Sequence, residues 1–477
     1  KGNRIAKGTE FTVTTTMGSI TTTDVNSSLP GKQIAANDSG RIQFTFQASD
    51  TGGTAFINVS SVSGSATGYT TVLMNSLRII SISSPSLFVS QGQNDVTVNM
   101  VVENLGPNTI TGLVGGLNFT GPAPDLENRN SDFTDVHRID GVTSIPSLST
   151  RTLTFSVDVT RNAKTDTVTI DGWISGQIGI AVVSDTFAVS NWKWKIQIPA
   201  ELRITKVYSV QDTVSQGRTG INVRMDIVND GEASAHIVLD TLSFWSIEQS
   251  VDVTGDYVIK PSDLNPNLIT GNGAKEQFDF TVNVGAAATL GEVVINGQII
   301  GTDVNSGEQS IDFTADTTHT WVVKSAPVVG IKGFYPSQIQ ITRNQSVPWY
   351  LTLIMANNGE TNVKLEADSL LFLLKGADVT SEYNISDPMS FQVSGDSILH
   401  GNSIDTLIYA VNQSGSSTGE ITIRCTVYLR DLGTGKLIVD EGLTGISVLD
   451  SGRVRIVGLV ASQNSATINQ NQDWTVS

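Results

Sequence analysis

Cysteine is almost missing from this chain. A single one, Cys425, occurs in 477 residues, so no internal disulfide can staple the fold. It stands in Ile421-Thr422-Ile423-Arg424-Cys425-Thr426-Val427, on the side of the Ile and Val residues, where it reads as a small core residue and not a reactive thiol. Histidine is scarce as well. His137, His236, His319 and His400 are far apart, and neither HExxH nor paired CxxC spacing occurs, which excludes an ordinary zinc site. Positive charge is short, with Lys+Arg 29 against Asp+Glu 46 and a net charge of −17. Nucleic acid and anionic membranes need clustered Lys and Arg, so neither is an expected partner. No apolar run approaches the ~20 residues of a membrane-spanning helix. Lys1-Gly2-Asn3-Arg4 is polar, so an exported form would carry its targeting segment outside this sequence. No GxSxG elbow is present, and Gly112-Leu113-Val114-Gly115-Gly116 precedes no helical pattern, which leaves it as strand or loop glycine and not a phosphate cradle.

What the chain does have is alternation. Ile42, Phe44, Phe46 and Ala48 alternate with Gln43, Thr45 and Gln47, and Leu153, Phe155, Val157 and Val159 alternate with Thr154, Ser156 and Asp158. Phe278, Phe280, Val282 and Val284 repeat the pattern. A period of two puts one set of side chains on a buried face and the other on a wet face. Charged residues at 16%, with 44 glycines and no sustained helical period, suit strands and turns. The length exceeds what one core organises. An all-β chain of several antiparallel β-sandwiches follows.

The chain also repeats itself. Leu77-Arg78-Ile79 returns as Leu202-Arg203-Ile204, Val329-Gly330-Ile331 and Val454-Arg455-Ile456, at spacings of 125, 127 and 125 residues. Ser90-Gln91-Gly92 matches Ser215-Gln216-Gly217. Asn104-Leu105-Gly106, Asn229-Asp230-Gly231 and Asn357-Asn358-Gly359 follow apolar runs in three copies and predict hairpins. A second hairpin is predicted near the end of two copies, at Asp303-Val304-Asn305-Ser306-Gly307 and Asp431-Leu432-Gly433-Thr434-Gly435.

These anchors divide the chain into residues 1–75, 76–200, 201–327, 328–452 and 453–477. Candidate linkers are Thr71 to Ser76, Ile198 to Glu201, Lys324 to Pro327 and Asp450 to Gly452; they are short, so neighbouring modules should abut. Residues 1–75 read as a module without its opening strands, and residues 453–477 as the opening strands of a further one. Two explanations stand side by side. The sequence is a stretch of a longer array, or its last strands complete the first module of the next subunit. In the second case Val454, Ile456, Ala466, Ile468, Trp474 and Val476 would make the contact. Either gives head-to-tail geometry.

At these residues the sequence resembles known repeat families. The Ser-Gln-Gly opening, the Asn-Asp-Gly turn, the Phe278 to Val284 strand and the Asp303 to Gly307 hairpin resemble the CARDB-type immunoglobulin-like repeats of large bacterial and archaeal surface proteins. Gly8 to Ile20 and Ser39-Gly40-Arg41-Ile42 resemble invasin-type bacterial immunoglobulin-like domains. The resemblance implies tandem immunoglobulin-like sandwiches arranged as beads in a row, at the cell surface or outside the cell, with a structural or adhesive role. It implies no catalytic residue.

Three kinds of candidate site remain. Asp252, Asp256 and Asp263 fall in one loop-rich stretch, Asp378, Glu382 and Asp387 in its equivalent, and Asp132, Asp135 and Asp140 in the preceding copy. They are either solvated turn carboxylates or ligands for calcium, which takes hard oxygens from loops. No other cofactor is expected. Trp192, Trp194 and Trp321 near module ends suggest packing across a junction, with glycan stacking as the alternative. N-x-S/T sequons occur at Asn26, Asn37, Asn58, Asn118, Asn344, Asn384 and Asn412. The leading expectation is a non-enzymatic structural protein of a filament, stalk or surface layer, whose partners are copies of itself or further repeats. An adhesin arm binding glycan or protein, and a spacer of a larger secreted enzyme, are the alternatives.

Overall fold

The computed structural model describes residues 4–48, 53–61, 67–74, 77–388, 390–453, 455–458, 460, 462, 471, 473 and 475. The repeat beginning at Leu202 shows the plan most fully. Strands Leu202–Ser209, Ile221–Asn229, Ala274–Val284 and Tyr257–Pro261 lie side by side in that order in one antiparallel sheet. The facing sheet runs Thr213–Ser215, His319–Lys324, Gly291–Asp303, Ala235–Ser246, with Val251–Asp252 beyond. Lettered in chain order, this is A-B-E-D against A′-G-F-C, the strand order of an immunoglobulin-like sandwich. The opening of the module is shared between the sheets. Leu202–Ser209 pairs antiparallel with Ile221–Asn229, while Thr213–Ser215 runs parallel to the closing strand His319–Lys324. The repeats beginning at Leu77 and Val329 have the same order, including the parallel pairing of Phe88–Ser90 with Trp192–Gln197 and of Gln340–Thr342 with Leu437–Leu449. The chain is therefore all-β, a tandem row of immunoglobulin-like antiparallel sandwiches.

Period-two alternation builds each interior. Ile221, Val223 and Met225 pair with Val282, Phe280 and Phe278 on the neighbouring strand, and these six, with Ile227 and Val284, are all buried. Each repeat encloses its own apolar cluster, reaching from Leu77 to Ile196, from Ala200 to Val323, and from Phe334 to Val448. The first module is smaller. Glu10–Thr15 pairs with Lys32–Ala35 and Gly53–Ser61, and Thr67–Met74 extends that sheet. Among the described residues its facing sheet is the short pair Ser19–Ile20 and Phe46–Gln47. Val13, Ile20, Ile34 and Ile57 form its core, with Ile42, Phe44 and Phe46 packed against them.

Two expectations change. The Asn-Gly turns after Val102, Val228 and Ala356 are not hairpins. Val96–Asn104 and Ile110–Thr120 belong to opposite sheets, as do the equivalent strands of the other two repeats, so the turn arches across the sandwich. The asparagine side chain makes the arch. Asn229 is fully buried; its amide donates to the carbonyls of Ala233 (2.9 Å) and Ile269 (3.3 Å), and its oxygen accepts from the Gly231 N–H at 3.2 Å. Asn104 and Asn357 do the same with Asn108 and Gly106, and with Thr361 and Gly359. The Asp303 and Asp431 turns, in contrast, are true hairpins.

The tryptophans are also placed differently. Trp194 and Trp321 are 0% exposed and lie inside their own modules, not between modules. Trp194 stacks near Phe119 and Phe133, and Trp321 near Phe244 and Tyr257, with centroids 5.6–6.2 Å apart. Trp192 packs beside the first of these clusters and donates to the Ser86 carbonyl at 3.1 Å. The closing strands of the first two repeats turn their large rings inward because an immunoglobulin-like core needs bulk between the sheets.

Candidate functional site at the module junctions

The most organised polar chemistry in the molecule lies where modules meet. Asp303 ends strand Gly291–Asp303 and opens the closing hairpin of its module. Its carboxylate is 2% exposed. It accepts from the Ser90 hydroxyl of the preceding module (2.9 and 3.1 Å) and from the N–H of linker residue Ala200 at 2.8 Å. Within its own turn it accepts from the Asn305 and Ser306 N–H groups at 2.9 and 2.8 Å. Asn305 donates in turn to Ser90 Oγ (3.0 Å) and Gln197 Oε1 (3.1 Å), while Gln93 donates to the Asn305 carbonyl at 2.8 Å. A buried carboxylate is tolerable only when its lone pairs are occupied; here Ser90 of the preceding module, the linker and its own turn occupy them.

A second contact staples the linker. Glu232 accepts from the Ile198 N–H at 3.1 Å, and the Ile198 carbonyl accepts from the Glu232 and Ala233 N–H groups. Gly231 sits so close that a Cβ there would lie 2.0 Å from the Pro199 oxygen. The next junction repeats this staple: Glu360 accepts from Ser325 N at 2.8 Å, and a Cβ on Gly359 would lie 2.0 Å from the Ala326 oxygen.

The hairpin contact is not repeated in the same form. Position 200 becomes Pro327, which has no N–H to offer. Asp431 instead accepts from its own turn, from Gly433 N at 2.7 Å and Thr434 Oγ1 at 2.5 Å. Arg218, in the place of Gln93, donates to the Gly433 carbonyl. Ser215, the counterpart of Ser90, is 2% exposed, and its hydroxyl has no hydrogen-bond partner among the described residues. Clefts of about 230 and 570 Å³ flank this junction, lined by residues including Ser215, Arg218, Glu360 and Gly433 in one and Gln216, Pro327 and Asp431 in the other.

The acidic residues singled out by sequence are used inside their modules. Asp252 and Asp378 each cap a short turn by accepting from Thr254 N and Thr380 N at 2.8 Å; the threonines' hydrogen bonds hold both carboxyls below the usual range. Asp256 accepts from Thr289 N and Oγ1 at 2.8 and 2.7 Å. Glu382 accepts from Ser417 and Ser416, and these bonds lower its pKa. Asp132 pairs with buried Arg129 at 2.5 Å, and Asp140 with Arg138 at 2.6 Å. Asp135, Asp263 and Asp387 are exposed. Among the described residues no group of three or more His, Cys, Asp or Glu side chains is placed to hold a metal ion, so none of the three acidic triplets weighed as calcium ligands is assembled into a cage there. Asp252 and Asp378 bond within their own turns, and Asp256 and Glu382 bond to Thr289 and to Ser416 and Ser417.

Of the proposed strand-contact residues, Val454, Ala466, Ile468, Trp474 and Val476 lie outside the described residues, and Ile456 is 72% exposed. The sequons at Asn37, Asn58, Asn344 and Asn384 are exposed, and those at Asn26, Asn118 and Asn412 are half-buried. Cys425 is buried beside the Tyr409 hydroxyl at 3.4 Å; burial pushes its thiol up to about 11, so it stays protonated. Among the described residues no helix is long and apolar enough to cross a membrane.

No family model matches the chain. No curated protein matches it in sequence. Solved structures with similar folds include a marsupial T cell receptor (8% identity, 77% of this chain and 99% of that one, TM-score 0.27). The ectodomain of mouse nectin-like molecule 4 gives 13% identity over 78% of this chain and 99% of that one, with TM-score 0.19. Domains 1–6 of the surface layer protein SbsC give 12% identity over 95% of this chain and 51% of that one, with TM-score 0.18. The immunoglobulin-like assignment rests on the strand order within each module, and these likenesses add no argument to it.

Proposed function

We propose that this chain is a non-catalytic structural protein of the cell exterior, a stiffened string of immunoglobulin-like modules serving a filament, stalk or surface layer. The CARDB-like and invasin-like resemblance of the repeats belongs to this proposal. The observation that carries it is the Asp303 lock. Evolution of a loose tether has no use for a buried carboxylate that reads a neighbouring hydroxyl and a linker N–H together; a load-bearing or space-keeping rod does. Separate cores give each module its own stability, and the stapled junctions turn that into a fixed spacing.

Head-to-tail continuity by strand donation is part of the same proposal. The alternating face of Ile42, Phe44 and Phe46 in the first module would receive the alternating residues of the 453–477 segment, with main-chain pairing supplying affinity.

Negative-stain electron microscopy of the purified chain tests both. Straight rods are expected, and Asp303→Ala should widen the angle between the modules flanking Ala200. Bend angles there that are already broad in the unaltered chain would remove the rod reading. If assemblies form, deleting residues 453–477 should abolish them; fibres that persist would remove strand donation while leaving the rod intact.

A further inference from the structure

We infer that the end of the third complete repeat, at Thr342, Asn344 and Gln345, is a socket for the Asp-x-Asn hairpin of a further module of this type. The inference rests on the stacked-junction reading above and goes on to name the partner.

The socket is the same piece of backbone at three places. Gln91, Gln216 and Arg343 donate their N–H to Gln197, Lys324 and Leu449 at 3.0, 2.9 and 2.9 Å. The turn then closes from Gln93 N to Ser90 O, Arg218 N to Ser215 O and Gln345 N to Thr342 O, each at 3.1 Å. The residue between is left-handed in all three: φ is 79° at Gly92, 76° at Gly217 and 53° at Asn344. Asparagine is the side chain that tolerates this conformation best, so the shape survives the loss of glycine. In the first two copies a hairpin of the following module fills the turn, and Ser90 and Ser215 are buried. In the third, Thr342 is half-buried and Arg343, Asn344 and Val347 are exposed.

The side chains specify which hairpin fits. The first socket offers a hydroxyl, a carboxamide and a linker N–H, at Ser90, Gln93 and Ala200, and it reads Asp303 and Asn305. The second offers Arg218 and Pro327 and meets a glycine: a Cβ on Gly433 would lie 2.2 Å from Ser215 Oγ. The third returns to the first kit, with Thr342, Gln345 and, at the linker position, Gly452. Gln345 holds the Thr342 N–H through its side-chain oxygen at 3.3 Å, as Gln93 holds Ser90 at 2.9 Å. Its NH₂ turns back to Gln338 and the Val347 carbonyl, and is the group that would rotate to the incoming turn. The occupant has the acid and amide of the Asp303 hairpin. The anchor Val454-Arg455-Ile456, following Gly452 at the linker spacing, is where its module would open. The first repeat cannot serve from a second copy. Ile178 takes the place of Asp303 in its strand register and Pro107 that of Glu232, so it has neither the lock nor the staple.

The test appends a second copy of residues 201–327 after Gly452 and measures disulfide formation between Thr342→Cys and Asn305→Cys of the appended copy. Ser90→Cys with Asn305→Cys in the unextended chain is the reference. Comparable rates are expected, with Gln345→Arg slowing the new pair about tenfold, the equivalent of one hydrogen bond of ~1.4 kcal/mol. Cross-linking in the reference but not at Thr342 overturns the socket and leaves the stacked junction standing. Failure of both overturns the junction reading itself. An unchanged rate with Gln345→Arg overturns the specificity assigned to the amide.

Discussion

Single residues decide more here than composition suggests. Trp321 is wholly enclosed, so Trp321→Ala should destabilise its module by about 3–5 kcal/mol; unchanged thermal unfolding would contradict its core placement. Asp405 offers a pH test. It is 4% exposed; burial alone opposes its ionisation, but the N–H groups of Val393 (2.8 Å), Ser394 (2.9 Å) and Thr406 (2.7 Å) outweigh that and hold its pKa below the ordinary 3.8. Its stabilising contribution is therefore complete above the ordinary value and is lost as pH falls through the lowered one. The gap in melting temperature between the unaltered protein and Asp405→Asn should close on acidification from about pH 5 to about pH 2. A gap constant across that range would show the carboxylate contributes nothing through ionisation. Cys425 was legible as core from its neighbours. What the sequence could not show is that it replaces a glycine of the other repeats, Gly172 and Gly297, where a Cβ would press to 2.3 and 2.4 Å on Met100 and Met225.

Strands were readable because burial on one face imposes a period of two, and this held from Phe278 to Val284 without exception. Turns were read less well. Asn-Asp-Gly is the same short-range signal whether the chain doubles back in one sheet or arches to the other, and only the buried Asn229 amide, reaching a carbonyl forty residues away at Ile269, distinguishes the two. The closing hairpin was seen, but not its role, since Asp303 acquires meaning from Ser90 and Ala200. For the second hairpin, Gly433→Ala should force the contact with Ser215 apart. Hydrogen exchange of the 431–436 turn should accelerate while the strands Ile421 to Leu429 keep their protection; loss of protection in both would mean the glycine serves its own module's fold instead.

At the level of the whole chain, the repeat period revealed the row of modules, while the Asp303 lock was hidden because its hairpin's partners lie 103 to 215 positions apart in sequence. The two described junctions differ in hydrogen bonding for a nameable reason. Pro327 withholds an N–H that Ala200 supplies, and clefts open beside it. Pro327→Ala should let Asp431 gain a linker bond and narrow the distribution of bend angles at the second junction in single-particle images. A distribution that stays the same width would assign the bend to Arg218 and Gly433.

In the three complete repeats the parallel pairing of the second strand with the closing strand has a mechanical corollary. Tension on this repeat enters at Leu202, and once strand Leu202–Ser209 is drawn off its antiparallel partner it reaches Thr213–Ser215, which lies beside the closing strand His319–Lys324 and runs the same way. Opposed pulls on such neighbours slide one past the other, so the hydrogen bonds between them share the load simultaneously and do not peel one by one.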